Sequence, residues 1–158
     1  MEPSKIRRFE PRDAPVLAAI FFDAVRNGAL GDYSEAQVTA WAPVVPPPEG
    51  FVARARDGRA IFVAVDDLDQ PVAYGDLETS GHIDHLYCRS AWIGTGLASA
   101  LYDELECEAR KARLDKLFVE ASEAARRLFL SKGFVVTERR DFHLRGTLIH
   151  NYLMEKTL

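Results

Sequence analysis

The chain has 158 residues, 47% apolar and 28% charged, which at ~150 residues per domain predicts one domain spanning residues 1–158. That mix excludes a disordered, collagen-like or coiled-coil chain, and a domain of this size buries roughly 70% of its unfolded surface without staples. Twenty basic residues against twenty-four acidic give a net charge of −4, which argues against a nucleic-acid partner. Cys88 and Cys107 form neither a disulfide framework nor a CxxC pair, so no metal is expected. Met1-Glu2-Pro3-Ser4-Lys5 opens no apolar leader, and no run approaches eighteen apolar residues. A cytoplasmic protein without a membrane partner is expected.

In chain order, Ile6 to Glu10 predicts a short strand stopped by Pro11, with Asp13 as the N-cap of a helix. Val16, Ala19, Ile20, Ala24 and Val25 keep a helical period until Gly28 or Gly31. Ser34-Glu35-Ala36-Gln37 reads as a capping box opening a second helix that runs through Trp41 to Pro43. Pro46, Pro47 and Pro48 predict an irregular flap. Ala60–Val65 and Pro71–Glu78 form an antiparallel hairpin, and His82–Cys88 continues as one further strand. After the glycine-bearing loop from Arg89 to Gly96, Leu97, Leu101, Leu105 and Ala109 mark a helix at i+4 spacing. Lys116–Glu120 is a short strand, Ser122 caps a helix closed by Gly133, and Phe134–Leu144 and Thr147–Lys156 are long strands joined at Arg145-Gly146. The fold class is mixed α/β.

The loop Ile93-Gly94-Thr95-Gly96-Leu97-Ala98 joins a strand to a helix N-terminus, where amide groups and the helix dipole converge on a phosphate. The competing reading is a tight turn whose glycines serve sterics only. Two better-known phosphate loops fail. No GxxxxGK[ST] exists, and GxGxxG is broken by Ser99. The acid that should end the next strand of a dinucleotide fold, Asp115, precedes that strand instead.

This loop, preceded by Leu86-Tyr87-Cys88, resembles motif A of the GNAT N-acetyltransferases, and Ala124 to Phe134, ending in Gly133-Phe134, resembles motif B. The final strand, with His150 to Lys156, also suits that family. The resemblance implies a mostly antiparallel mixed sheet of six to seven strands, splayed between the fourth and fifth, flanked by about four helices. It implies acetyl-CoA as cosubstrate, bound through Leu86, Tyr87 and Cys88, with the amides of Ile93, Gly94, Thr95, Gly96, Leu97 and Ala98 on its pyrophosphate. Arg89, Arg126, Arg127 and Lys132 are candidates for the adenosine phosphates, each alternatively a solvated charge. It also implies acetyl transfer to a primary amine of a small molecule or a protein, and a homodimer paired through the final strands. The alternatives are a non-catalytic acyl-CoA sensor and a structural module with a vestigial loop.

The chain departs from the motifs at Ile93, where Gln or Arg is usual, and at Phe129, which lines the expected cofactor site where the family often places a thiolate-protonating tyrosine. Tyr152 is the candidate substitute acid. His82, supported by Asp84 two residues along the same strand face, is the candidate base; alternatively both are strand-end polar groups. His85 is expected on the opposite face, under a helix. Tyr33, Glu120 and Asn151 are candidate acceptor contacts. Trp41 is either a further contact or core. Cys88 lacks the neighbours that would activate a nucleophile.

Overall fold

The computed structural model describes residues 5–158, so the reading of Met1–Ser4 lies outside the described residues. The chain runs β1 (Lys5–Arg8), α1 (Ala14–Asp23), α2 (Glu35–Trp41), α3 (Pro48–Ala55), β2 (Ala60–Val65), β3 (Pro71–Leu77), β4 (His82–Ile83) and β5 (Leu86–Cys88). It continues with α4 (Leu97–Lys111), β6 (Lys116–Ala121), α5 (Glu123–Ser131), β7 (Val135–Leu144) and β8 (Thr147–Thr157).

The strands form two four-stranded sheets, ordered β1-β2-β3-β5 and β4-β6-β8-β7. Every pair is antiparallel except β4 with β6. The first sheet is covered on both faces. Leu97, Leu101, Leu105 and Ala109 of α4 are buried on one side with Phe62 and Ala73, as their spacing predicts. On the other side, Leu17, Ile20 and Phe51, from α1 and α3, pack with Val63 and Tyr74. With both faces covered, β3 reads as a continuous buried run.

Several expectations need correction. The predicted fourth strand, His82–Cys88, is two short strands in different sheets. The cause lies across the chain: Asp76 Oδ1 accepts the amides of Asp84 (3.1 Å) and His85 (2.8 Å), withdrawing them from any ladder. Beyond that break β5 stays on β3, while β4 joins β6. Gly81, just before β4, lies so close to Lys116 that a Cβ would sit 2.3 Å from its carbonyl oxygen, at φ +97°. Only glycine permits that approach.

Asp13 does not cap α1 through its side chain. Its carboxylate accepts from both terminal nitrogens of Arg7 (2.9 and 3.0 Å) and from the Glu10 amide (2.8 Å). The proline run is not wholly irregular, because Pro48 occupies the first turn of α3, where its missing N–H costs nothing. The capping box holds: Ser34 Oγ accepts the Gln37 amide and Gln37 Oε1 accepts the Ser34 amide. Among the described residues there are five α-helices, in keeping with the expected four or so, and dividing the fourth strand gives eight strands.

Candidate active site

β4 pairs with β6 through His82↔Phe118 and Ile83↔Val119, whereas, among the described residues, β5 pairs only with β3. The two sheets therefore share a base at β4 and diverge beyond it. His85 O accepts from Asp76 N, and Arg89 N donates to Val72 O. Antiparallel alternation then aims the peptide groups of Tyr87 at β3 and those of Leu86 and Cys88 away from it, into the divergence. Among the described residues, these two offer backbone donors and acceptors with no ladder partner along one wall.

A cavity of about 390 Å³ fills this opening, lined by Leu86, Cys88, Gly94, Gly96, Leu97 and Ala98 among others. Gly94 (φ +83°) and Gly96 (φ +87°) adopt left-handed backbone, and nothing stands within 4 Å of where a Cβ would point. The first-turn amides of α4 have no intrahelical partner, and Ser99, which sequence reading did not select, lines the cavity too. The loop is anchored by Asp23, whose carboxylate accepts the Ser90 amide (2.7 Å) and hydroxyl (3.1 Å). Burial pushes the Asp23 carboxyl up, but these bonds and one from Asn27 outweigh it and hold it below the usual range.

Two expected amide ligands are used within the loop. Ile93 N donates to Ser90 O, and Thr95 N to Trp92 O, both at 3.3 Å. Thr95 also donates its hydroxyl to Trp92 O (2.6 Å) and does not line the cavity. Of the four candidate cations only Arg127 borders it, paired with Asp32 at 2.8 Å. Arg126 pairs with Glu123 over the Tyr152 ring, and Lys132 with Asp103. Burial pushes the Cys88 thiol up to about 11, so it stays protonated.

A second cavity, of about 330 Å³, lies on the far side of the divergence. A narrow gap of about 50 Å³ touches the residues of both. Trp41, Tyr87 and Ser122 line all three spaces. Phe129 is fully buried beneath the gap, edge-on to Phe134 with ring centroids 4.8 Å apart, and supplies an apolar floor rather than a proton. It does not line the larger cavity.

Tyr33, Glu120 and Asn151 all line the second cavity, together with Asp84. The Tyr33 hydroxyl donates to His150 O (2.9 Å) and accepts from the Glu123 amide (3.2 Å), and burial pushes it up to about 12. Asn151 Oδ1 accepts from Arg140 Nε at 3.1 Å. Glu120 reaches both this cavity and the gap, with Oε2 on His82 Nε2 at 2.5 Å.

His82 is not placed as a base. It lines none of these spaces. Its ring stacks on Phe118, with Nδ1 on Glu78 and Nε2 on Glu120. Carboxylates at both nitrogens favour the doubly protonated ring, which keeps no free lone pair. Burial pulls its pKa down, but the two carboxylate bonds outweigh burial and leave it raised. Asp84 does not orient it, because the strand breaks between them; Asp84 instead meets Arg54 and Arg59.

Tyr152 is not placed as the acid either. It stands on the opposite face of β8 from Asn151, donates its hydroxyl to Glu123 at 2.6 Å, and lines none of the three spaces. That bond, with those of His150 and Arg126, holds the Glu123 carboxyl down at about 2.

Sequence reading missed His85 and Arg140, which both line the second cavity. His85 does pack against α1, stacked on Phe21, but it also borders the cavity. Tyr74 is fully buried, and among the described residues its hydroxyl has only His85 Nδ1 as an acceptor, at 2.9 Å. Assigned on that network, the proton of His85 sits on Nε2. Burial and the Arg54 charge depress its pKa to about 4, so the ring that borders the cavity is neutral near pH 7. Among the described residues no group of three or more His, Cys, Asp or Glu is arranged to hold a metal ion, and no helix is long and apolar enough to cross a membrane.

A sheet splayed in this way, with a glycine loop at a helix N-terminus in the opening, defines an acyltransferase architecture. The family model for the acetyltransferase (GNAT) domain matches residues 29–157. An Escherichia coli (strain K12) protein named "Uncharacterized N-acetyltransferase YafP" is 30% identical over 155 residues, covering 98% of this chain and 96% of that protein. A GCN5-related N-acetyltransferase (aminotransferase, class II) from Rhodopseudomonas palustris superposes with a TM-score of 0.89 at 32% identity, covering 100% of this chain and 98% of that one. A phosphinothricin acetyltransferase from Sinorhizobium meliloti, solved with acetyl-CoA, shares the fold at a TM-score of 0.78 and 16% identity, covering 99% of this chain and 89% of that one. The chain belongs to the GNAT N-acetyltransferase family.

Proposed function

We propose that this protein binds acetyl-CoA in the 390 Å³ cleft and transfers its acetyl group to a primary amine held in the 330 Å³ cavity, by direct attack within a ternary complex. The observation that carries this reading is the meeting of the two cavities at Trp41, Tyr87 and Ser122 across the narrow gap. The groups present fit the cofactor. The free peptide groups of Leu86 and Cys88 suit the amides of a pantetheine arm. The open space at Gly94 and Gly96, with the first-turn amides of α4, suits a pyrophosphate.

When bound, the cofactor supplies an acetyl thioester whose carbonyl carbon an unprotonated amine can attack. Leu86 and Cys88 would hold the arm of the bound cofactor through their peptide groups, which would bring amine and thioester together at high effective concentration. Glu120 takes the proton from the ammonium, directly or through one water, using the oxygen that His82 does not occupy. His82 positions Glu120 by holding Oε2 while Glu78 steadies the ring from behind. Ser122 Oγ accepts the Ala125 amide as the cap of α5, which leaves its O–H free to donate at the gap. That hydroxyl, rather than Phe129 or Tyr152, is the donor best placed to meet a departing thiolate. The unpaired cysteines fit a cytoplasmic location.

Thiol release from acetyl-CoA with a panel of amines tests the reading. Release with at least one amine is expected. Binding of acetyl-CoA with no release would favour a non-catalytic acyl-CoA sensor, and absence of both would refute the assignment of the cleft.

A further inference from the structure

The second cavity contains a cation that nothing in the transfer chemistry uses. Arg140 on β7 sits directly opposite Asn151 on β8. Glu120 on β6 is opposite Leu153, two residues further along β8. Cross-strand partners share a face, as do residues two apart, so Glu120, Asn151 and Arg140 stand on one sheet face, and all three line the cavity. From the strand geometry, the Cα atoms of Glu120 and Arg140 are separated by two strand spacings and two residues, about 12 Å. Both long side chains reach into the space between.

Arg140 is held for a purpose other than an internal ion pair. Its Nε is fixed by the neutral Asn151 amide oxygen, and its guanidinium lies 5.8 Å from the Phe142 ring. Among the described residues no carboxylate lies within ion-pair distance of it, so its two terminal nitrogens stay free. The cavity's own acids are engaged elsewhere. Asp84 is held by Arg54 and Arg59, and Glu120 by His82. His85 also borders the cavity but is neutral and adds no charge. Between the acid and the cation the lining is largely aromatic, with Tyr33, Trp41, Tyr87 and Phe142.

We propose that the acceptor is a small zwitterion, an amine whose far end carries a carboxylate or similar oxyanion, and that Arg140 is the residue that receives this anion. The amine lies at Glu120, the apolar middle against the rings, and the oxyanion on the free edge of the guanidinium. The volume, about 330 Å³, is at the small end of ligand sites and suits a molecule of amino-acid size. A charge-assisted, two-toothed contact of this kind discriminates roughly 10- to 100-fold against a neutral isostere. The proposal rests on the acetyltransferase reading only for the role of the cavity, and its test separates the two.

The probes are 4-aminobutyrate, 5-aminopentanoate and 6-aminohexanoate, each against its carboxamide. Thermal midpoints are measured with coenzyme A present, so that binding is read without turnover, and kcat/KM is measured with acetyl-CoA. At least one acid should raise the midpoint where its carboxamide does not, and react roughly 10- to 100-fold faster. In Arg140→Gln both acid-to-carboxamide ratios should collapse to near one, and Arg140→Lys should restore part of each. The midpoint shift caused by coenzyme A alone should be the same in all three proteins, which checks that the variants fold and keep the cofactor side. Discrimination in binding without turnover in any protein would uphold the anion site and sink the transfer step. Equal response to acid and carboxamide in the wild type, or ratios unchanged by Arg140→Gln, would overturn the proposal.

Discussion

Replacing Glu120 with glutamine removes the group assigned to take the amine proton while keeping its shape. Glutamine can still accept from His82 Nε2 through its carbonyl, so the β4–β6 junction is spared, and Glu120 does not line the cleft proposed for acetyl-CoA. An alkylamine with a pKa of ~10 is roughly 0.3% neutral at pH 7.5, which sets the size of the problem the base must solve. General bases contribute ~10²–10⁴-fold. The ceiling here is the inverse of that neutral fraction, so Glu120→Gln should lower kcat/KM by about 10²-fold at pH 7.5. The loss should shrink roughly tenfold per pH unit as the amine deprotonates on its own, and nearly vanish by about pH 9.5. Thiol release followed from pH 6.5 to 9.5, with acetyl-CoA affinity measured alongside, gives both numbers. A loss below roughly fivefold, or one that does not change with pH, would remove Glu120 as the base.

Other expected outcomes follow from the same geometry. Gly96→Asp, which forces a side chain onto φ +87° and sets a carboxylate where a pyrophosphate belongs, should abolish the midpoint rise with acetyl-CoA in a protein that still melts cooperatively. An undiminished rise would disqualify the loop. His82 has its folded pKa raised above 6.5, so its charge stabilises fully below that pH, and the contribution is lost as pH climbs through the folded value. The midpoint gap between wild type and His82→Gln should therefore be widest below pH 6.5 and narrow as pH climbs through the raised folded pKa; a gap that widens upward would contradict the clamped ring. Tyr152→Phe should leave turnover within about twofold, since that hydroxyl serves Glu123, and a large drop would restore Tyr152 as the acid.

Where local patterns decide local structure, the sequence was legible. The i+4 row from Leu97 to Ala109, the Ser34–Gln37 cap and the β2–β3 hairpin all form as read. The glycine loop was equally readable, because glycine at left-handed positions before a helix is a local requirement. His82 and Asp84 misled because period-2 alternation holds only while the strand continues. The break between them is imposed by Asp76, a residue on another strand, reaching the amides of Asp84 and His85. Arg140 was hidden for a related reason. Its alternation with Arg139 and Asp141 is visible, but which face meets the cavity depends on the pairing of β8 with β6 and β7. The same pairing separates Asn151 from Tyr152, neighbours that the sequence offered as joint candidates. Three consecutive prolines concealed α3, since the signal for a connector and the signal for a helix start at Pro48 coincide.

Titration of the wild-type protein with acetyl-CoA, followed by its thermal midpoint, bears most directly on the claim that the divergence between β5 and β6 is a cofactor cleft. Ligand at ~100 times its Kd stabilises a native state by ~2.7 kcal/mol. For a domain of this size that is a rise of roughly 5–10 °C, saturating with concentration. Acetyl-CoA and coenzyme A should both give it, because the contacts assigned to Leu86, Cys88, Gly94 and Gly96 do not involve the acetyl group. A midpoint that stays flat through millimolar acetyl-CoA would contradict the account at its base.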